Sequence, residues 1–543
     1  MRLAFAAVAA ALLASAAPAQ APAQPEFSAD RVKADIEFLA DDLLEGRDTG
    51  TRGYDIAAHF VATRFESMGL KPASKDGWYQ EVRFRETKLA DPAPVLTIGG
   101  KSYENGPQVL MGPSAFETSQ TIAGLPVVFA GYGLHAPDRG IDDYAGLDVK
   151  GKVVAVLSGF PKGMASDIGA HLATDKGSAA ERQGAVGMVS ILTPEALKVA
   201  PWALRQRYAG EPGFTWLKPD GQPFDDAPGL RFGAQFNEEA AANLFAGAPR
   251  SLKTVLGEAA KAGGKPKGFA LKQTVGITRA SAHSETKSPN VIAMLPGSDP
   301  ALANEYVLLM AHLDHEGIDA KKADGDRIYN GAMDNASGVA TMLEAARAFV
   351  ASGVAPKRPI LFAAVTAEEK GLLGAQYLAK YPAVPAPGKV VAVVNLDMPV
   401  LLYDFTDVVA FGAEHSTLGP IVDRATASAG VKLSPDPMPE QNLFTRSDHY
   451  RFVQEGVPSV FLMTGFANGG EKIFKDFLAT HYHKVSDQTD LPFDWNAAAK
   501  FARINYAIAR EIADAPEAPR WYQDSFFGDT FAKDAPKAAK AGK

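Results

Sequence analysis

From residue 290 onward, short apolar runs alternate with stretches of helical periodicity. The runs at 291–295, 307–310, 360–365, 390–396 and 457–462 have the length and composition of buried strands. Between them Val339, Met342, Leu343, Ala346 and Phe349 recur at the spacing of one helix face, and 495–512 carries another helical pattern. The alternation predicts an α/β domain, a sheet sandwiched by helices. Upstream, Ser28-Ala29-Asp30 caps a predicted helix bearing Val32, Ile36, Leu39 and Leu43. A second helical pattern runs through Ala58, Val61, Phe65 and Met68. The glycine-rich turn 46–53 between them reads either as a solvated loop or as a contact with the main domain. From about residue 92 the character changes to short β-like runs, at 127–129, 152–157 and 185–192, with a helical stretch at 179–183. Residues 266–286 read as the return path, and the Ala/Lys/Pro-rich tail from Lys533 is predicted to be disordered.

Length and charge narrow the picture. A chain of 543 residues exceeds one ordinary core, so two domains and tails are expected. A net charge of −8 without a basic stripe argues against nucleic acid as a partner. With no cysteine, disulfides, thiol nucleophiles and thiolate ligands are all excluded, and any metal must be held by His, Asp and Glu. Residues 1–20 read as an export signal: Arg2, an apolar core over 3–17, then Ala17-Pro18-Ala19 as a cleavage site. No other segment reaches the roughly 20 apolar residues of a membrane span, so the expected product is an exported protein, periplasmic or extracellular.

Polar residues collect where the predicted strands stop. His312 and Asp314 follow the 307–310 run, and Asp334 precedes the helix that carries Val339. Glu368-Glu369 follow 360–365, Asp397 ends 390–396, and His483 comes late in His-Tyr-His-Lys-Val-Ser-Asp. Singly each has a plain explanation: Asp334 as a helix cap, the Glu pair as a solvated helix start. A charge ending a buried strand, as Asp397 does, is costly unless paired. Together they suit two adjacent metal ions. Zinc takes about four ligands with one position left open. Asp334 serves both ions, His312 and Asp397 complete one, and Glu369 and His483 the other. Asp314, on the same strand face as His312, is expected to hold the imidazole. Glu368 remains without a metal beside one, which suits a general base acting on metal-bound water. Zinc is the chemical favourite, with manganese or cobalt as alternatives.

His-x-Asp, Met-Asp-Asn-Ala-Ser-Gly, Ala-Glu-Glu-x-Gly-Leu-Leu-Gly-Ala, Asn-Leu-Asp-Met, Arg-Ser-Asp-His-Tyr and Tyr-His-x-x-x-Asp occur in this order. In this the chain resembles the M28 family of co-catalytic zinc peptidases over essentially all of 27–519. The resemblance implies a mixed, mostly parallel sheet sandwiched by helices, the zinc-dependent exopeptidase fold. Gly131-Tyr132-Gly133, Asp143-Tyr144 and Val149-Lys150-Gly151-Lys152 resemble an inserted, β-rich protease-associated domain. The implied division is a peptidase domain over 27–92 and 270–519, the insert over 93–269 and a tail over 520–543. The family implies the same ligand assignment, two zinc ions, and Glu368 as base. Tyr482 resembles the tyrosine that steadies the oxyanion in some members; its other reading is a packed aromatic. In others that tyrosine lies three residues before Ser-Asp-His, where this chain has Phe444. Ser447, Asp448 and His449, being adjacent, do not converge as a serine triad.

These residues imply an aminopeptidase acting on peptides. Arg446, if it met a substrate carboxylate, would instead give a carboxypeptidase or dipeptidase. Glutaminyl cyclisation is disfavoured by His312 and its full set of partners. A binding protein on an inactive scaffold is disfavoured because none of the ligands is lost.

Overall fold

The computed structural model describes residues 25–540. The expected export signal lies outside the described residues. One large mixed sheet runs through the molecule. Across its main path the order is Lys432–Leu433, Asp407–Phe411, Ser459–Thr464, Lys389–Asn395, Glu305–His312, Ile360–Val365, Phe269–Leu295, Ser119–Phe129, Val153–Leu157, Gly187–Ile191, Gly233–Phe236 and Val109–Met111. On one side, Ser459–Thr464, Lys389–Asn395, Glu305–His312 and Ile360–Val365 are mutually parallel. On the other, Ser119–Phe129, Val153–Leu157, Gly187–Ile191 and Gly233–Phe236 are parallel as well.

The Glu305–His312 strand displays the period of two that a doubly covered sheet requires. Val307, Leu309 and Ala311 enter one core cluster, and Tyr306, Leu308 and Met310 enter another. Over the first face pack the Ser337–Ala351 and Trp495–Asp514 helices together with Ala29–Leu39. The second is covered by Leu373–Lys380 and His449–Gln454, through Ala375, Leu378 and Phe452. Val339, Met342, Leu343, Ala346 and Phe349 are all buried, as their spacing predicts. Ser28 caps the first helix by accepting from the Arg31 N–H at 3.3 Å. That helix ends at Leu39, so Leu43 leaves the predicted stripe and stands exposed in the following turn.

The expected boundary between the two regions takes a different form. Residues 266–286 and 291–295, read as a return path and a separate strand, belong mostly to the single strand Phe269–Leu295. Its first half pairs with Ser119–Phe129, its last residues pair with Ile360–Val365, and Tyr79–Ile98 runs antiparallel beside it from Val275 to Val291. The expected break at 92/93 therefore falls inside a continuous strand. Side-chain contacts fasten the 93–269 segment further: the Trp216 indole donates to Gln376 at 2.9 Å, and His171 Nδ1 meets the Tyr450 hydroxyl at 2.5 Å.

The tail corrects a second expectation. Instead of being disordered from Lys533, the chain remains ordered to residue 540. Composition misleads because the anchors lie upstream, where Trp521 and Phe527 are buried and Phe527 packs against Phe444 and His415 at 4.9 Å between ring centroids. Lys537 then donates to the Ala532 carbonyl at 2.7 Å, and Ala538 N–H returns to Trp521 O at 2.8 Å. Phe527→Ala is expected to cost about 3–5 kcal/mol, the usual loss for a buried aromatic. The denaturant midpoint measures it, and an unchanged midpoint would remove the tail from the cooperative fold.

Candidate metal centre

The centre is built by strand register. His312 pairs with Val365 in one neighbouring strand, and Met310 pairs with Asn395 in the other. Three adjacent parallel strands therefore end at one level, and the residues that follow them, Asp314, Glu368-Glu369 and Asp397, leave on the same edge of the sheet. Ligands bind outside the carboxyl ends of such strands because the loops converge there. The backbone is held in uncommon conformations around these residues: Ala367, Met398 and His483 have φ of 56°, 39° and 53°, the left-handed region that side chains disfavour and that clusters at functional sites.

Asp334 stands at the middle. Its Oδ1 lies 3.2 Å from His312 Nε2, and its Oδ2 lies 3.2 Å from His483 Nε2. His312 Nε2 also lies 3.1 Å from Asp397 Oδ1, and His483 Nε2 lies 3.3 Å from Glu369 Oε2. The five residues thus form two triads that share one carboxylate, each oxygen facing a different imidazole. Asp334 does not cap the helix after it: Ala336 holds the N-cap position of Ser337–Ala351, with no side-chain cap bond. The Met333 and Asp334 N–H groups instead donate to the Asp487 carboxylate at 2.9 and 3.0 Å. Asn335 ties this turn to the next strand end, donating to Leu396 O and accepting from Met398 N–H, both at 3.0 Å.

Asp314 is placed as predicted but acts differently. His312 Nδ1 faces the Asp314 main-chain oxygen at 3.1 Å, not its carboxylate. The carboxylate accepts from the N–H groups of Glu368 and Glu369 at 3.1 and 3.3 Å. Two residues along an extended chain bring a side chain to the same face, but the strand ends at His312, and the turn carries Asp314 across to the neighbouring loop. Burial pushes its carboxyl up to about 6, partly opposed by His312.

Glu368 lines a small cavity of about 60 Å³ with His312, Asp334, Asp397, Arg446 and Tyr482. Burial pushes its carboxyl well above the usual range; His312 opposes this, while Glu369, Asp397 and Asp448 add to it. For Asp334 the balance is reversed. Burial raises its carboxyl, yet the flanking His312 and His483 hold it well below the ordinary value. Tyr482 packs tilted against His483 with 3.9 Å between ring centroids, and burial, together with Asp334 and Glu369, raises its phenol well above the ordinary value of 10.

Several contributors escaped the sequence reading. His315 is fully buried, with Nδ1 at 2.8 Å from Glu369 Oε1 and Nε2 without a hydrogen-bond partner among the described residues. Ser447 donates to Asp397 Oδ2 at 2.5 Å while accepting from Asn395 at 2.7 Å. Ser447 is thereby not paired with His449, whose ring nitrogens have no hydrogen-bond partner among the described residues and whose imidazole burial lowers to about 3. Asp487 was already part of Tyr-His-x-x-x-Asp, and His315 extends His-x-Asp by one residue, so both lay within signals already noticed. Ser447 had no such signal, because it meets Asp397 only through the fold.

The donors fit a first-row divalent cation. They are imidazole nitrogens and carboxylate oxygens without sulfur, converging in a buried, acid-rich setting that needs compensating positive charge. The family model for "Peptidase family M28" matches residues 290–509. Over this span the chain is similar to peptidase family M28. A probable zinc metalloprotease from Pyrenophora teres f. teres (strain 0-1) is 42% identical over 108 residues, 20% of this chain and 22% of that protein. Leupeptin-inactivating enzyme 1 from Streptomyces exfoliatus is 28% identical over 184 residues, 32% of this chain and 36% of that protein. The chain thus spans well under half the length of these curated relatives. An aminopeptidase from Aneurinibacillus sp. strain AM-1 matches with a TM-score of 0.50 at 18% identity, covering 91% of this chain and 95% of that one, a likeness of fold. The M28 span contains both triads and Glu368, whereas the segments before residue 290 lie outside it.

Removing the Ser447 hydroxyl should leave Asp397 free to rotate. Ser447→Ala is expected to weaken metal uptake about 10–100-fold, the usual effect of losing an outer partner of a ligand, and Ser447→Thr to preserve it. Competition against a chromogenic chelator reads both; equal affinity of Ser447→Ala and wild type would deny Ser447 this role.

Proposed function

We propose that the chain is a di-zinc exopeptidase that hydrolyses the N-terminal peptide bond of peptides. The observation that carries this reading is the division of Asp334 between His312 and His483, one oxygen each, with Asp397 and Glu369 completing the two sides. His312, Asp334 and Asp397 would hold one ion, and Asp334, Glu369 and His483 the other. Bound zinc supplies Lewis acidity toward a carbonyl oxygen and lowers the pKa of water.

The chain's own residues do the rest. Glu368 takes a proton from the attacking water as the water oxygen bonds to the peptide carbon. When the C–N bond breaks, Glu368 returns that proton to the departing amine, so the carboxylate ends as it began. The protonated Tyr482 phenol donates to the oxyanion; a phenol that ionised near neutrality could not. Asp314 fixes the Glu368 main chain, which limits where the carboxylate can reach. Glu316, 3.4 Å from His483 Nδ1, is a further carboxylate beside the centre that would attract the substrate's free amine.

A second reading rests on Arg446. It is exposed, lines the same cavity, and makes no ion pair among the described residues. A guanidinium so placed suits a substrate carboxylate and a carboxypeptidase or dipeptidase. Incubating one peptide in free and N-acetylated forms, with and without a chelator, separates the readings by mass spectrometry. Stepwise loss from the free N-terminus, abolished by acetylation and by the chelator, is expected. Loss from the C-terminus regardless of acetylation would replace the first reading with the second. Glu368→Gln is expected to retain metal and to lose several orders of magnitude in turnover, roughly the upper range of general-base catalysis; undiminished turnover would remove Glu368 as the base.

Export to the periplasm or the medium is part of the same proposal, supported by the composition of residues 1–20. The N-terminus of protein recovered outside the cytoplasm should begin near residue 20, and retention inside with Met1 intact would refute it.

A further inference from the structure

The glycine-rich turn after the first helix lies outside the M28 span, yet its residues touch the loops that carry the metal donors. Gly46 comes first, with φ of 70°. A Cβ there would lie 2.4 Å from Gly317 O and 2.7 Å from Tyr329 O, so only glycine allows the approach. Arg47 follows, 1% exposed. Its guanidinium donates to Leu313 O at 2.9 Å, Asn330 O at 2.6 Å and Gly331 O at 3.0 Å, and also to Leu39 O. Leu313 lies between His312 and Asp314, and Gly331 precedes Asp334 by three residues. The Arg47 carbonyl in turn accepts from the His315 N–H at 3.2 Å.

The next two residues reach the third loop. Asp48 Oδ1 is 2.8 Å from Lys370 Nζ, adjacent to Glu369. Thr49 Oγ1 donates to Asp314 Oδ2 at 3.2 Å, and that carboxylate is the acceptor for Glu368 and Glu369 N–H. Three consecutive side chains therefore address 312–315, 330–334 and 368–370. Surface turns do not bury an arginine on main-chain carbonyls, because the charge loses hydration for neutral partners.

We propose that Arg47, Asp48 and Thr49 form a positioning clamp that sets the spacing of the donor-bearing loops, so that metal uptake by the M28 span depends on a turn outside it. The inference rests on the two-triad metal reading given above. The fork of Arg47 explains the residue type, since five N–H donors in one plane can satisfy several carbonyls at once, whereas a lysine offers three from a point. The charge matters as well. Burial lowers the guanidinium to about 10 against the opposing pull of Asp487, Asp334, Asp314 and Glu369, so it stays cationic beneath the carboxylates at neutral pH. None of the three residues touches the cavity that Glu368 lines. They act through other groups.

The test uses the full chain stripped of metal and reloaded with zinc or cobalt. Zinc affinity is read by chelator competition and ligand geometry by the visible spectrum of the cobalt form, with thermal unfolding of each metal-free variant as the control. Arg47→Lys, Asp48→Asn and Thr49→Val are compared with wild type and with Thr49→Ser. The clamp predicts that Thr49→Val binds zinc about ten-fold or more weakly, in the range for lost outer partners, with an altered cobalt spectrum. Thr49→Ser should restore both. Arg47→Lys should be weaker still; if it fails to fold, the Thr49 and Asp48 variants decide. Folded variants with wild-type affinity and an unchanged spectrum, even at a lowered melting temperature, overturn the clamp and leave only a structural turn. Wild-type protein that takes up no metal overturns the clamp together with the metal reading beneath it.

Discussion

Too many carboxylates are buried at one edge of the sheet for them all to be charged and unpartnered. Asp314, Asp334, Asp448 and Asp487 are each no more than 3% exposed, and the side chain of Glu369 is only 4% exposed. Burying a lone carboxylate is expensive, so the surroundings divide these groups into two kinds. Asp314 and Asp487 are pushed up to about 6, and Asp448 higher, with burial the leading cause. Asp334 and Glu369 are held low because histidines lie against them. The low members are those whose oxygens converge, and the raised ones stand behind them. That is the arrangement a cation would require: charged donors in front, with Asp314 and Asp487 behind them accepting hydrogen bonds from the main chain.

Parallel strands make this possible. An antiparallel hairpin returns its loop to the adjacent strand, but parallel strands release each loop at the same end. With His312, Val365 and Asn395 near one level, a change of register by one residue would turn the donor of that strand toward the opposite face. The register is protected by burial on both faces, which is why the strands carry continuous apolar runs. The long Phe269–Leu295 strand carries the same sheet from Ile360–Val365 to Ser119–Phe129, so the segments before residue 290 are hydrogen-bonded to the 290–509 span along a strand rather than hung from a linker. Trp216 on Gln376 and His171 on Tyr450 add contacts on the helices next to the centre.

Much of this was legible because burial and chemistry leave independent marks. The apolar runs located the parallel strands, and the polar residues ending or following them include the five side chains of the two triads and the Glu368 beside them. What stayed hidden depends on tertiary closure. The direction of the Asp314 carboxylate follows from where the strand stops, which periodicity does not define to one residue. Ser447 meets Asp397 across fifty residues of chain. The turn that holds Arg47 read either as a solvated loop or as a contact with the main domain, and only the fold brings four carbonyls around the guanidinium. The ordered tail was hidden by its composition, since lysine and alanine signal disorder only when no apolar anchor precedes them.

The supports form a closed circuit. Asp487 holds the Asp334 main chain, Ser447 the Asp397 carboxylate, His315 the Glu369 carboxylate, and Asp314 the main chain of Glu368 and Glu369. Each support comes from a different loop than the group it holds. Mutual bracing of this kind lowers the entropy lost when donors gather around an ion, because their positions are set by folding rather than by binding. It also explains why residues far apart in sequence, from Arg47 to Asp487, converge on a cavity that holds little more than a few waters. The centre belongs to no single segment, and its geometry is a property of the way these loops are tied to one another.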